Sequence, residues 1–136
     1  MSYGVSAALQ RAVFEHLVAD GQVAAQAGGA IFDAPSEGVM PPLYVSLGPE
    51  LVRDRSDKTA RGAAHDFTVS VVTEAGGFDA AKALAGAVSD ALVGAELMLA
   101  RGRLVDLSFL RARAARTARG RLRRIDLRFR ARVDDN

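Results

Sequence analysis

The chain has 136 residues, a quarter of them charged, a formal net charge of +2 and no cysteine. A single domain of that length buries roughly two-thirds of its unfolded surface without covalent staples, and the missing thiols exclude disulfides, cysteine nucleophiles and thiolate metal sites. The first ten residues lack the basic start and apolar run of a signal peptide, and the most apolar region, 80–100, is broken by Asp90 and Glu96, so an intracellular chain with no membrane span is expected.

Val5, Leu9, Val13 and Leu17 recur every four residues with Ala12 beside them, which predicts a helix over residues 5–19. Ser2 or Ser6 is the expected N-cap, and Gly21 the expected stop. Residues 22–27 have room for a short second turn before Gly28-Gly29 breaks the backbone. Ile31-Phe32 predicts a brief strand and 35–42 a proline-bounded loop. Leu43, Val45 and Leu47 alternate with Tyr44 and Ser46, a strand over 43–48 that Pro49 disturbs or ends, because proline has no N–H for a ladder. Residues 53–63 are polar and charged with no apolar period, hence an exposed loop or hairpin tip.

In 65–73, Phe67, Val69 and Val71 share one face while Asp66, Thr68 and Ser70 share the other, as in a strand. Gly76-Gly77 ends it. The second main helix is expected from 78 or 79 to 93, with Leu84, Val88 and Leu92 in one stripe and Ala81, Ala85 and Ala91 filling around it. The last third alternates most strictly: Ile125, Leu127, Phe129, Ala131 and Val133 interleave with Arg124, Asp126, Arg128, Arg130 and Arg132, a long strand with one wet face. Its partner, 104–114, begins with Val105, Leu107 and Phe109 on one parity and continues with Leu110, Ala112 and Ala114 on the other. A one-residue slip exchanges faces, so a β-bulge belongs near Phe109-Leu110, and 117–120 is the expected turn. Phe109 and Phe129 are both expected in the core. The fold class that results is α+β, one domain over 1–136: a mostly antiparallel sheet of about four strands with two main helices on one face.

The chemistry-bearing residues are sparse. His16 and His65 are the only imidazoles and show no His-x-His or His-x-x-x-His spacing, so both read as structural or surface histidines. Gly-x-Ser-x-Gly is absent, and neither glycine pair continues into a phosphate-binding motif. Glu50, Asp54 and Asp57 sit among Arg53, Arg55 and Lys58, which reads as a solvated, self-paired loop rather than an acid/base pair. No catalytic residue, metal site or cofactor is expected.

Charge distribution is the feature above background. Residues 1–100 carry six Lys and Arg against twelve Asp and Glu, whereas 101–136 carry twelve arginines against four acids. Ten of those arginines, Arg111, Arg113, Arg116, Arg119, Arg121, Arg123, Arg124, Arg128, Arg130 and Arg132, fall on the closing hairpin. Guanidinium forks suit carboxylates and phosphates alike. The face therefore has three readings: a contact with an acidic protein surface, a contact with nucleic-acid backbone, or solvation. An arginine-rich nucleic-acid-binding module is the alternative to an assembly protein, although interleaved aromatics on the opposite parity argue against a base-stacking platform.

Several segments resemble the tail-completion, or tail-terminator, family of phages and phage-derived gene transfer agents, closest to the gene-transfer-agent branch. They are Pro42-Leu-Tyr-Val-Ser-Leu-Gly-Pro-Glu50, Asp54-Arg-Ser-Asp57, His65-Asp-Phe-Thr-Val-Ser-Val-Val72, Gly77-Phe-Asp-Ala-Ala-Lys82, Ser89-Asp-Ala-Leu92 and Arg123-Arg-Ile-Asp-Leu-Arg-Phe-Arg130, in that order along nearly the whole chain. The resemblance implies a lambda-type terminator fold and a non-enzymatic virion protein: a subunit of a ring, hexameric in lambda-type terminators, that caps the tail tube and meets the head connector. The implied partners are further copies of the chain, the tail tube protein and an adaptor or stopper of the connector, with DNA passing through the ring without sequence-specific binding. The implied location is the bacterial cytoplasm during assembly and then the head-tail junction of the released particle. In such a ring Arg111, Arg113, Arg124, Arg128, Arg130 and Arg132 form the expected subunit or DNA contact, with Asp79, Asp90 or Glu96 as acidic partners. Arg53, Asp54, Arg55, Asp57, Lys58 and Arg61 form the expected assembly loop.

Overall fold

A computed structural model describes residues 3–34, 38–59, 61–117 and 119–135. The first helix, α1 (Ser6–Ala19), turns Leu9, Val13 and Leu17 into the core as the four-residue period requires. Its ends differ from expectation. Val5 takes the N-cap position with no side-chain cap, because the Ser6 hydroxyl donates instead to Glu50 Oε1 at 2.8 Å; Ser2 lies outside the described residues. Asp20, not Gly21, ends α1, and its carboxylate accepts from the N–H groups of Gln22 and Val23 to start a full helix, α2 (Gly21–Ala27). Gly28, at φ 59°, closes α2 in the left-handed conformation that glycine adopts without a Cβ penalty. The last helix, α3 (Asp79–Leu92), starts and stops where the pattern says, with Phe78 and Val93 at its caps.

Five strands form one mixed sheet in the order β1-β2-β3-β5-β4: β1 (Ile31–Phe32), β2 (Leu43–Asp54), β3 (Gly62–Thr73), β4 (Arg103–Thr117) and β5 (Leu122–Asp134). With three helices, this corrects the expectation of about four strands and two main helices. The brief strand joins the sheet through parallel pairing of Ile31 with Val45 and Phe32 with Ser46; every other pairing is antiparallel.

Pro49 does not end its strand. The β2 register passes from Leu47 to Glu50, leaving Gly48 and Pro49 in a bulge where no ladder N–H is needed, and pairing resumes to Asp54. The loop expected over 53–63 is thus shorter: Arg53 and Asp54 belong to β2, Gly62 and Ala63 to β3. In the closing hairpin the bulge at Leu110 is present, a second at Val105 was not legible, and β4 runs on through Thr117, so the turn comprises Arg119 to Arg121.

All three helices cover one face of the sheet. Leu9, Val13, Leu17, Leu84, Val88 and Leu92 pack there with Val69, Val71, Ile125, Leu127, Phe129 and Val133. Phe109 is not core. It sits on the edge strand β4 and is 43% exposed, while its neighbour Phe129 is fully buried. Strand β3 also departs from the half-wet pattern, since it is buried on both faces along its entire length.

Candidate functional site

The second face of β3 has no helix over it, and its burial comes from arginines. The register places Asp66 opposite Arg130 and Ser70 opposite Asp126. Arg130 grips the Asp66 carboxylate as a fork, Nε to Oδ1 at 2.8 Å and Nη2 to Oδ2 at 2.9 Å, and Arg53 reaches the same Oδ2 from β2 at 3.4 Å. About 13 Å along, four strand residues at about 3.3 Å each, the arrangement repeats in another form. The Ser70 hydroxyl donates to Asp126 Oδ1 at 2.6 Å, and Arg124 donates to Asp126 at 2.8 Å and to the Ser70 hydroxyl at 3.1 Å.

The carboxyl groups respond accordingly. The hydrogen bond from Arg130 holds Asp66 below the usual carboxylate range, helped by the charges of Arg130, Arg53 and Arg128 and opposed by partial burial. Burial pushes Asp126 upward, but the bonds from Ser70 and Arg124 and the charges of Arg124 and Arg113 outweigh it and leave this carboxyl lowered as well. Both acids are therefore ionised anchors for neighbouring arginines.

This divides the six arginines read as one face. Arg124 and Arg130 are tied down within the chain, whereas Arg111, Arg113, Arg128 and Arg132 make no hydrogen bond or ion pair to any described residue. Arg111, Arg113, Arg124 and Arg128 border a cleft of about 440 Å³ whose floor and far wall include Thr68, Asp126 and Pro49. Arg123, on the opposite parity, does not belong to this face: it lies over the Phe78 ring at 5.6 Å and donates to the Ala75 carbonyl.

The assembly loop reduces to residues 55–61 at the far end of the β2–β3 hairpin. Its acids are turned inward on local backbone: Asp54 accepts from the Ser56 hydroxyl at 2.7 Å and Asp57 from the Thr59 N–H at 2.8 Å. The Ser56 hydroxyl bond holds the Asp54 carboxyl below its ordinary value. Arg55, Lys58 and Arg61 project from this frame and are exposed.

Both histidines have structural surroundings. His16 Nε2 lies 2.8 Å from the Ala91 carbonyl, tying α1 to α3. His65 is fully buried with Nδ1 at 3.2 Å from Glu50 Oε2, and its Nε2 has no partner among the described residues. No group of three His, Asp or Glu side chains among the described residues is placed to hold a metal ion, and no described helix is long and apolar enough to cross a membrane.

Sequence reading missed Asp66 and Asp126 as anchors. The signal was present in the alternation itself, which sets Asp126 among Arg124, Arg128 and Arg130 on one face, but pairing Asp66 to Arg130 needs the β3–β5 register.

The model of a family described as tail completion protein gp17 matches residues 11–134. A solved structure of the virion of a native gene transfer agent (GTA) particle contains a chain 59% identical to this one, with a TM-score of 0.93 over 98% of this chain and 99% of that chain. Among curated proteins none matches.

Proposed function

We propose, from the premise that this chain belongs to the tail completion protein gp17 family, that it is a subunit of a six-membered ring that caps the tail tube of a phage-like particle and joins it to the head connector. The observation that carries the reading is the end-to-end likeness to a chain of the gene transfer agent virion. A family of virion tail proteins gives the chain a structural role, and the arginines, acids and histidines described above serve packing and contact rather than bond-making.

Three features support assembly. Strand β4 is an edge strand of fifteen residues, and it presents Val105, Phe109 and Leu110 to solvent; long edges of this kind invite a neighbouring chain. The cationic cleft lies on one side of the sheet and the acid-bearing helices on the other, the polarity that head-to-tail contacts need. The 55–61 loop projects a cationic tip at one end of the sheet, suited to docking on another virion protein. On this reading the chain folds in the bacterial cytoplasm and works at the head-tail junction, with copies of itself, the tail tube protein and a connector protein as partners, and with DNA passing through the ring.

Negative-stain imaging of the purified chain and of particles tests the ring: closed rings at the tail tip next to the head are expected. Replacing 56–60 by a tight Asn-Gly turn should leave rings intact and prevent head joining, seen as free tails. A chain that stays monomeric when purified and is absent from the junction in particles refutes the ring, and normal particle yield from the shortened loop refutes the docking role. A free nucleic-acid-binding module would instead show salt-dependent DNA binding by the isolated monomer.

A further inference from the structure

We infer that the cleft bordered by Arg111, Arg113 and Arg128 receives carboxylates from the helix layer of a second copy of this chain, supplied by Glu15, Asp79 and Asp90. The inference rests on the ring reading and names the contact that would build it.

Of the four arginines at the cleft, Arg111, Arg113 and Arg128 make no hydrogen bond or ion pair with a described residue. Arg124 is engaged by Asp126 and Ser70, and Asp66 is engaged by Arg130 and Arg53; Arg113 and Arg128 reach Asp126 and Asp66 only through space, and the other acid on this face, Asp106, lies beside Arg132, four β5 residues from Arg128. Arginine forks that converge on one recess leave donors aimed at a common space, the arrangement that recognises a planar anion.

The recess suits side chains better than a nucleic acid. It runs from the bulge at Pro49, across Thr68 and β5, to β4, about 15 Å over three strand spacings. Its volume, about 440 Å³, holds a few side chains and not the convex face of a duplex. No aromatic side chain lines the recess for bases to stack on.

The same chain carries the matching charge on its opposite side. Helices α1 and α3 and the Asp20 corner bear Glu15, Asp20, Asp79 and Asp90 against Arg11 and Lys82. Asp20 is occupied as the cap of α2. Glu15, Asp79 and Asp90 are exposed and make no hydrogen bond or ion pair with a described residue. The sheet stands between these acids and the cleft, so no copy can satisfy itself. Each must offer its helices to one neighbour and its cleft to the other, a heterologous contact that closes when the rotation between copies permits.

Zero-length cross-linking tests this directly. The chain has two lysines, Lys58 and Lys82, so Arg111→Lys and Arg128→Lys add amines without changing charge. Carbodiimide treatment of particles carrying these variants, followed by mass spectrometry, should join positions 111 and 128 to Glu15, Asp79 or Asp90, linkages that only a second copy can supply. Linkage of those positions to another protein, or amines that react only after nuclease removes DNA, overturns the inference while imaged rings keep the ring reading. Absence of any copy-to-copy linkage together with absence of rings overturns both. As a second arm, Arg111→Glu with Arg128→Glu should cut ring yield by at least about tenfold, the effect of losing one charge-assisted contact per interface, while circular dichroism shows the chain still folded; wild-type ring yield overturns the inference.

Discussion

Truncation of Phe129 is the sharpest test of how this fold is held together. The ring is fully buried in β5 and packs 5.7 Å from the Phe67 centroid and 5.8 Å from that of Phe109, edge-on to the latter. Core Phe→Ala substitutions cost about 3–5 kcal/mol, and each aromatic partner adds about 0.5–1.5 kcal/mol beyond burial. Phe129→Ala should therefore fall in the upper part of that range, about 4–5 kcal/mol. With roughly 4 °C per kcal/mol for a domain of this size, melting should drop by about 15–20 °C, and a total stability of about 5–15 kcal/mol makes partial unfolding at 37 °C the expected consequence. Phe109 is the internal control. It touches the same ring yet is 43% exposed on the edge strand, so Phe109→Ala loses about half a side-chain burial and one edge contact, about 1–2 kcal/mol. Urea and thermal unfolding of the purified chain at two protein concentrations measures both, the second concentration excluding a contribution from association. Equal losses for the two variants, or a Phe129→Ala midpoint indistinguishable from wild type, would refute the assignment of buried and open faces.

Asp66 and Asp126 predict the acid limb of stability. Their folded pKa values lie below the unfolded value of about 3.9, so the stability they add is complete above that value and is lost as pH falls through the lowered folded values. Melting temperature should hold from about pH 7 to 5 and decline below about pH 4; Asp66→Asn with Asp126→Asn should be less stable at neutral pH and decline less steeply in acid, and an equally steep limb would count against the anchors. Gly102 predicts a backbone effect: at φ 75°, an added Cβ would sit 2.7 Å from the Asp134 carbonyl oxygen and 2.9 Å from Val5 Cγ2. Gly28, at φ 59°, has open space around it, so Gly28→Ala should cost only the left-handed strain of about 1–2 kcal/mol, and Gly102→Ala at least twice as much by urea midpoint; equal costs would show that the 101–103 approach to the C-terminal strand is not tight.

What could be read without coordinates follows from how local each signal is. The stripes of α1 and α3, the alternation of β5 and the bulge at Leu110 are set by residues within one or two turns or strand pairs of each other, and all are present. The errors came from partners far along the chain. Ser6 looked like a cap until Glu50, 44 residues away, took its hydroxyl. Pro49 looked like a stop because nothing in its own neighbourhood shows that a bulge absorbs its missing N–H. Phe109 had the right parity for the core, but parity does not reveal that β4 is the last strand of the sheet and leaves this position open to solvent. The arginine face was legible as a set and not as a division, because which arginine meets which acid is decided by the β3–β5 register.

That division explains how one strand can serve both folding and contact. A central strand such as β3 needs cover on both faces, and the helices supply only one. Long guanidinium side chains from β2 and β5 supply the other, and they lie flat because Asp66 and Asp126 hold their heads. Over β3 the anchoring acids are Asp66 and Asp126, and they are met by Arg53, Arg124 and Arg130. Arg113 and Arg128 act on these acids only through space, without a hydrogen bond. Arg111, Arg113 and Arg128 gather at the one place where the β2 and β4 bulges open a recess. On the proposal above, an acid from a second copy fills this recess, so that one face of the sheet serves folding at β3 and contact at the recess.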